Sequence, residues 1–309
     1  MGSARHLTSI DDLSPAETIG LLRLAQRLKG EWSAGKRTKP LEAQTLAMVF
    51  EKPSLRTRAT FEIGMTQLGG NAVYLGPGDI QLGKRESVAD VARNLSRWVQ
   101  GIMARTFAHQ TVLGLAASAT VPVINALSDH EHPCQALAFG QLVLDRRGRL
   151  DGAKVVFVGD GNNVANSLML LAAKTGMSFS IACPQGYEPN GQVRERCCAL
   201  GGECRIVRDP ARAVAEADFV YTDVWASMGQ EAEAEKRRRD FQPYQVNAEL
   251  VSRAPKHALV THCLPAHRGE EITDEVMDGP QCAAFDEAEN RLHVQKAVLL
   301  FLMAGAPLE

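Results

Sequence analysis

The segment after a short apolar run at Thr45–Phe50 carries side chains suited to binding a phosphate group. It reads Ser54-Leu55-Arg56-Thr57-Arg58. Ser54 is a natural N-cap, and the helix that it would begin points free backbone N–H groups outward. Two hydroxyls and two guanidiniums in the same turn would complete a site for a phosphate dianion. For this segment alone, an ordinary capped helix with surface arginines explains the pattern equally well.

Two further segments place polar side chains after apolar runs. Arg105 follows residues 101–104, and a guanidinium there could hold a phosphate or polarise a carbonyl. After residues 121–124 the chain reads His130-Glu131-His132-Pro133-Cys134-Gln135. Pro133 favours a helix start, so His132 and Gln135, three residues apart, can point into one cleft. A histidine donor can stabilise an oxyanion, although a lone histidine is more often a structural residue.

A glycine-rich segment follows Lys154–Val158 and reads Gly159-Asp160-Gly161-Asn162-Asn163-Val164. It nearly matches a dinucleotide fingerprint, but it lacks the third glycine at the expected place. Where an acid would bind ribose, about 20 residues further on, the chain reads Ile181-Ala182-Cys183-Pro184. The pattern therefore disfavours a nicotinamide cofactor. The asparagines could instead hold the carboxylate of a small zwitterion.

Two later segments carry side chains suited to an amino-acid substrate. Asp223 follows residues 219–221 and can receive an ammonium group, and Ser227-Met228-Gly229 predicts a flexible loop. After residues 258–260 comes His262-Cys263-Leu264-Pro265. Cys263 beside His262 could be a nucleophile, but a buried, inert thiol is more common. We expect Cys263 to line the site of an amine without being covalently modified.

These segments all follow short apolar runs, which alternate with helix-like stretches along the chain. The alternation predicts helices that cover mainly parallel sheets. In such folds ligands bind outside the carboxyl ends of the strands, so the polar segments are expected to share one cleft. Ser14-Pro15-Ala16-Glu17 predicts a capped first helix, and the stretch from about Asp286 to Met303 predicts a long terminal helix.

The length of 309 residues is enough for two such domains at ~100–200 residues each. We therefore expect an α/β fold with two doubly wound domains, each a mainly parallel central sheet flanked by helices, linked by interdomain helices. The junction is placed in the helix that starts near Pro133. The expected boundaries are 1–132 plus the C-terminal helix 288–309 for the first domain, and 133–287 for the second.

Charge and cysteine content exclude several functional classes. The formal net charge is −2, so the basic excess typical of nucleic-acid or membrane-surface binding is missing. The basic run at 236–239 lies among acidic residues, and we interpret it as a solvated helix face. Seven cysteines without a CxxC pair argue against a disulfide framework and fit a reducing cytoplasm. The N-terminus lacks a signal-peptide core, and no run approaches the ~18–20 apolar residues of a membrane span.

In this order the motifs resemble those of the aspartate/ornithine carbamoyltransferase family, over nearly the whole chain. Residues 54–58 resemble its Ser-Thr-Arg-Thr-Arg motif, and residues 132–135 its His-Pro-x-Gln motif. Asp223 with residues 227–229, residues 262–265 and the segment 160–163 resemble the ornithine branch. The resemblance implies transfer of the carbamoyl group of carbamoyl phosphate to the side-chain amine of L-ornithine, giving L-citrulline and phosphate.

The resemblance also implies which residues bind each substrate. Those expected for carbamoyl phosphate are Ser54, Leu55, Arg56, Thr57, Gln81, Arg105, His132, Gln135 and Arg291. Those expected for ornithine are Asn163, Asp223, Ser227, Met228, Cys263 and Leu264. Arg105, His132 and Cys263 are expected to act in catalysis. Gln81 would come from a neighbouring subunit of a homotrimer with shared sites, and the family needs no metal or organic cofactor.

Two departures from the family pattern are visible. Leu55 stands where the family has Thr, but its backbone N–H can still bind phosphate. Phe139 stands where the family has Asp, a change that the sequence does not explain. Three alternatives remain: a carbamoyltransferase for putrescine or N-acetylornithine, a nicotinamide-dependent dehydrogenase, and a non-catalytic relative. The intact Arg56, Arg105, His132 and Gln135 argue against the last of these.

Overall fold

The computed structural model describes residues 4–83, 85–226 and 231–308. The chain forms two compact units, one made of the N-terminal part up to Gln141 with the C-terminal part from Glu289, and the other of Leu142–Ala288. The chain passes from the first unit to the second within the helix Pro133–Arg147 and returns within the helix Ala284–Met303. The expected α/β fold, with two parallel-sheet domains connected by helices, is confirmed.

The sheet of the first unit is parallel throughout, with the order β2-β1-β3-β4. Its strands are β1 (Thr45–Phe50), β2 (Asn71–Leu75), β3 (Gly101–Arg105) and β4 (Val123–Leu127). The helices before the junction are α1 (Pro15–Ser33), α2 (Leu55–Gln67), α3 (Pro77–Ile80), α4 (Val88–Trp98) and α5 (His109–Ser118), preceded by a 3-10 helix at Ile10–Asp12. Because the chain order reverses between β1 and β3, a crevice is expected at their carboxyl ends.

The sheet of the second unit is also parallel, with the order β7-β6-β5-β8-β9. Helix α6 (Pro133–Arg147) leads into β5 (Lys154–Val158), β6 (Ser178–Ala182), β7 (Cys204–Val207), β8 (Phe219–Thr222) and β9 (Leu259–His262). Around them lie α7 (Asn163–Thr175), α8 (Gly191–Ala199), α9 (Pro210–Val214), α10 (Ala234–Phe241), α11 (Ala248–Ser252), α12 (Asp274–Met277) and the start of α13 (Ala284–Met303), with 3-10 helices at Glu231–Glu233 and Gln242–Tyr244. Here the reversal falls between β5 and β8.

All the predicted strands are present in the two sheets, while β2 and β7 were missed. Interior strands are covered on both faces and therefore read as continuous apolar runs. Every residue of β3 is buried, whereas β2 and β7 are edge strands whose residues are half-buried or exposed. The charged Arg205 interrupts the sequence of β7, Cys-Arg-Ile-Val, whereas β2 reads Asn-Ala-Val-Tyr-Leu and holds four consecutive apolar residues that the sequence analysis did not use. The charged residue accounts for the missed β7, while β2 could have been predicted from its apolar run.

Two helices formed where the sequence predicted them. The Ser14 hydroxyl accepts the Glu17 N–H at 3.2 Å, and the Glu17 carboxylate accepts the Ser14 N–H at 2.8 Å, which is the predicted capping box. The C-terminal helix begins at Ala284, two residues before the predicted start. Among the described residues, no helix is both long and apolar enough to cross a membrane.

Candidate substrate-binding sites

Helix α2 begins at the crevice between β1 and β3. The Ser54 hydroxyl accepts the Thr57 N–H at 3.3 Å and so caps the helix, as the sequence predicted. The first-turn N–H groups and the positive end of the helix dipole are therefore held at the carboxyl edge of the sheet. This is the arrangement in which a helix start binds an anion.

Three segments far apart in sequence meet around the Thr57 hydroxyl. Arg105, the last residue of β3, donates to it at 3.4 Å, and Arg291 of α13 donates to it at 3.3 Å. A second nitrogen of Arg291 donates to the Gln135 side-chain oxygen. All four side chains are buried. Two buried guanidiniums thus converge beside the helix start, which favours an anionic ligand.

His132 is buried next to these cations. Burial lowers the pKa of its imidazole well below 6.5, and Arg291, Arg105 and Lys52 lower it further. The ring is therefore neutral at physiological pH. A neutral imidazole keeps one N–H donor, which can stabilise an oxyanion without placing a further charge in the site.

Lys52 belongs to the same cationic group, and the sequence analysis did not single it out. It precedes the phosphate motif, is only 8% exposed, and its ammonium lies 5.0 Å from the centre of the Phe107 ring. Burial and the neighbouring Arg105 lower the pKa of Lys52 to about 8. Lysine is rarely buried, so its burial here points to a functional role. The sequence could not show this, because the residues around Lys52 are typical of an ordinary polar loop.

Three other residues expected in this site are more exposed to solvent than the four buried side chains. Arg56 is half-buried in the first turn of α2, and Leu55 is 79% exposed. Gln81 ends α3 with a left-handed backbone (φ 44°) and is exposed. That conformation is uncommon for a residue other than glycine.

In the second unit, a carboxylate joins the loops that follow β5, β8 and β9. The Asn162 side-chain amide donates to Asp223 at 2.7 Å, and the Cys263 thiol donates to the other carboxylate oxygen at 2.8 Å. The Val224 N–H donates to that same oxygen at 2.8 Å. Asp223 is buried and thus held in one orientation. This point is the reversal between β5 and β8, where a ligand is expected.

The asparagine that contacts Asp223 is Asn162, whereas the sequence analysis selected Asn163. Asn162 also caps α7, because its side-chain oxygen accepts the N–H groups of Val164 and Ala165 at 2.9 and 3.1 Å. Asn163 is the half-buried first residue of that helix. Adjacent asparagines are indistinguishable in sequence, since only the path of the loop decides which one faces the next strand.

The glycine at 161 is explained by packing instead of by a dinucleotide. A Cβ on Gly161 would lie 2.2 Å from the Pro189 nitrogen and 2.4 Å from the Glu188 carbonyl carbon. The Gly161 N–H donates to the Tyr187 carbonyl oxygen at 2.9 Å. Close approach of two backbone segments therefore requires glycine here.

His262 supports the loop that carries Cys263. Its Nδ1 accepts the Leu264 N–H at 2.8 Å, so the proton lies on Nε2, which donates to the buried Glu271 at 3.0 Å. Leu264 is half-buried with φ 56°, and the Leu264–Pro265 bond is cis.

The spacing of three side chains in this site could suit a metal ion, because single atoms of Asp223, His262 and Cys263 lie within 4.8 Å of one another. Each of these atoms has a protein partner already.

The comparisons with known proteins agree with this geometry. The sequence model "Aspartate/ornithine carbamoyltransferase, carbamoyl-P binding domain" matches residues 5–139, and "Aspartate/ornithine carbamoyltransferase, Asp/Orn binding domain" matches residues 151–302. The chain belongs to the aspartate/ornithine carbamoyltransferase family. The ornithine carbamoyltransferase of Thermococcus kodakarensis is 52% identical over 307 residues, 98% of each chain.

Solved structures of other members of the family have the same fold. The ornithine carbamoyltransferase of Pyrococcus furiosus is 50% identical, with a TM-score of 0.94 and 99% of each chain covered. That of Thermus thermophilus is 46% identical, with a TM-score of 0.89, covering 98% of this chain and 100% of that one.

The structure explains the first departure from the family motifs and shows where the second lies. The Leu55 side chain points into solvent, so the missing threonine hydroxyl leaves the backbone N–H of the helix start in place. Phe139 is completely buried within α6. A buried aspartate at that position would need charged or hydrogen-bonding partners, whereas a phenyl ring needs only apolar neighbours.

The interpretation of the basic run as a solvated face was wrong for one residue. Arg237 is 7% exposed and pairs with the buried Asp160 at 2.9 Å. It also donates to the Trp225 carbonyl oxygen at 2.9 Å and to Glu233 at 3.1 Å. Arg237 thus ties the loop after β5 to both sides of the segment 227–230. Ser227 and Met228, which were expected to bind ornithine, lie outside the described residues.

Proposed function

We propose that this protein transfers the carbamoyl group of carbamoyl phosphate to the side-chain amine of L-ornithine, giving L-citrulline and phosphate. The observation that carries the proposal is the convergence of Arg105 and Arg291 on the Thr57 hydroxyl, beside a neutral His132. Membership of the family and the names of the relatives support it.

The first unit would bind carbamoyl phosphate through its cationic helix start. The phosphate would be held by Ser54, Arg56, Thr57 and Arg105, with the Leu55 N–H as a further donor. Arg105, Thr57 and His132 would donate to the carbonyl oxygen, and the Gln135 side-chain oxygen would accept from the carbamoyl –NH2 group. Arg291 holds that oxygen and would also reach the substrate. Donors fixed before the reaction need no reorganisation when charge develops.

The second unit would bind ornithine around Asp223. The carboxylate would receive the α-ammonium group together with Ser227, while Asn163 and the Met228 backbone would hold the α-carboxylate. Cys263 and Leu264 would lie beside the side-chain amine. The thiol contact to Asp223 supports a role for Cys263 in shaping this site.

The transfer proceeds by attack of the neutral side-chain amine on the carbonyl carbon. A carbon–nitrogen bond forms, and the carbonyl oxygen gains negative charge that Arg105, His132 and Thr57 stabilise. The bond from that carbon to the phosphate oxygen then breaks, and phosphate leaves with the electron pair. The amine proton passes to phosphate. An unperturbed alkyl amine has a pKa near ~10.4, so the site must select the neutral form and turnover should rise with pH.

We further propose that the protein is a homotrimer in which Gln81 enters the carbamoyl-phosphate site of a neighbour. The exposed position of Gln81 supports this. A groove of about 390 Å³ beside α2, lined by Leu55 and Tyr74 among others, offers a surface for a second copy.

We also propose a role in arginine biosynthesis, a cytoplasmic location and the domain boundaries 1–132 with 288–309 and 133–287. The seven cysteines form no disulfide bond, which supports the location.

Product formation from carbamoyl phosphate with ornithine, putrescine, N-acetylornithine and aspartate in parallel tests the proposal. Citrulline from ornithine alone is expected. Turnover with a different amine would retain the carbamoyl-phosphate half and overturn the assignment of Asp223. The absence of turnover with all four would overturn carbamoyl transfer itself.

A further inference from the structure

We propose that residues 7–12 orient His132 through the side chain of Glu131, so that Ser9 and Glu131 are positioning residues for the carbamoyl-phosphate site. The inference rests on the proposed function of that site. It starts from Glu131, a buried carboxylate beside His132 that the mechanism above does not use.

Glu131 is 2% exposed and immediately precedes His132. Its carboxylate accepts a hydrogen bond from the Ser9 hydroxyl and another from the Ile10 N–H at 3.0 Å. Both donors belong to the start of the 3-10 helix at Ile10–Asp12. A carboxylate is expensive to bury without donors, so these contacts fix where residue 131 can lie.

The N-terminal residues that supply these donors are anchored to the sheet. The Leu7 N–H donates to the Val123 carbonyl oxygen at 2.9 Å, and the Asn125 N–H donates to the Leu7 carbonyl oxygen at 2.8 Å. The Asn125 side chain also donates to the Thr8 carbonyl oxygen at 2.8 Å. Residues 7 and 8 therefore extend along β4, and the 3-10 helix lies at its carboxyl end.

The main chain on both sides of His132 is fixed as well. The Ser128 N–H donates to the Glu131 carbonyl oxygen at 2.9 Å, and the His132 carbonyl oxygen accepts the Gln135 N–H at 3.0 Å. His132 thus stands between a closed turn and the first turn of α6. A shift of the Glu131 side chain would be passed to the imidazole, because the two residues share a peptide bond. Misplacing a catalytic group by about 1 Å can lower the rate ~100-fold.

Two serines that cap helices on the same segment give a matched experiment. Ser9 caps the 3-10 helix and contacts Glu131, whereas Ser14 caps α1 and has no contact with Glu131 among those described. We would compare Ser9→Ala, Ser9→Thr, Ser14→Ala and Glu131→Gln with the unaltered chain. The readouts are kcat, KM for each substrate, melting temperature, and the NMR signals of the His132 ring nitrogens.

Ser9→Ala and Glu131→Gln should lower kcat about tenfold and shift the His132 ring signals, with little change in KM for ornithine. Ser9→Thr keeps the hydroxyl and should restore both. Ser14→Ala should lower the melting temperature as much as Ser9→Ala does, yet leave kcat and the ring signals unchanged. Equal losses of kcat in the two alanine variants, or unmoved ring signals in Ser9→Ala, would overturn the inference. If the unaltered chain transfers no carbamoyl group, the proposed function fails, while the ring signals still test the contact.

Discussion

In the candidate carbamoyl-phosphate site, His132 is a neutral hydrogen-bond donor and Arg105 is a permanent cation. Both are buried, and Arg105 and Arg291 share the Thr57 hydroxyl. The neutral state of the imidazole follows from burial among three cations. Because such donors act on charge that develops only during the reaction, their loss should affect turnover more than binding.

We therefore expect Arg105→Gln and His132→Asn each to lower kcat by roughly 10²–10³. Steady-state kinetics with carbamoyl phosphate and ornithine would measure this. Arg93→Gln is the control, since Arg93 is an exposed arginine of α4 that pairs with Asp90. A loss of less than threefold in the Arg105 or His132 variant would contradict the role given to that residue.

We expect Lys52 to make the binding of carbamoyl phosphate depend on pH above neutrality. Its pKa is lowered to about 8, chiefly by burial, so the ammonium is charged below that pH and neutral above it. An anionic ligand favours the charged form, so affinity should be highest below pH 8 and fall as the pH rises through it. We expect the dissociation constant of carbamoyl phosphate to rise up to about tenfold between pH 7 and pH 9.

Lys52→Met should remove most of this pH dependence and weaken binding at pH 7. Lys154→Met is a suitable control, because Lys154 is an exposed lysine of the second unit that pairs with Glu216. The same pH dependence in Lys52→Met as in the unaltered chain would show that another group is responsible.

At the scale of elements, Asn162 links the start of α7 to Asp223. Its oxygen caps the helix and its amide nitrogen donates to the carboxylate. We expect Asn162→Ala to cost about 1 kcal/mol of stability and to raise KM for ornithine. Asn162→Asp should keep the cap but set two carboxylates against each other, so that KM rises with less loss of stability.

Asn190→Ala is the control for capping alone, since Asn190 caps α8 in the same way. Urea unfolding and steady-state kinetics on the three variants would separate the two roles. An unchanged KM for ornithine in Asn162→Asp would mean that the contact to Asp223 has no part in binding.

The Arg237–Asp160 pair joins α10 to the loop after β5. Both partners are buried, so removing one leaves an unpaired charge. We expect Arg237→Met to lower the free energy of unfolding by about 3–5 kcal/mol. Lys236→Met, one residue earlier on the exposed side of the helix, should leave stability unchanged. Urea unfolding compares the two, and equal effects would contradict the assignment.

For the whole molecule, the proposed homotrimer with shared active sites predicts complementation between subunits. Gln81→Ala and Arg105→Gln should each be weakly active alone, because every site would lack one group. Random mixing in a trimer would give about a quarter of the sites an intact pair. Dissociating and reassembling an equal mixture should therefore restore activity to about that fraction. Activity no higher than the mean of the two parents would contradict sharing through Gln81.

The sequence by itself determined the features that depend only on residues close together in the chain. The cap at Ser54, the capping box at Ser14 and the buried strands each follow from spacing or from continuous apolar character. The family membership was also correctly predicted, because its motifs are short segments whose residues lie side by side in the chain. The edge strands β2 and β7 were missed. A charged residue interrupts β7, whereas β2 has an apolar run that the sequence analysis did not use.

Only the tertiary structure decided the contacts made across long stretches of chain. Arg291 reaches Thr57 across 234 residues, and Glu131 reaches Ser9 across 122. The contact of Asn162 with Asp223, and the burial of Lys52 and Arg237, depend equally on which distant segments pack beside them. A residue's type sets what it can donate, accept or neutralise. Its partner and its exposure to water are set by the packing of the whole domain, which no local spacing encodes.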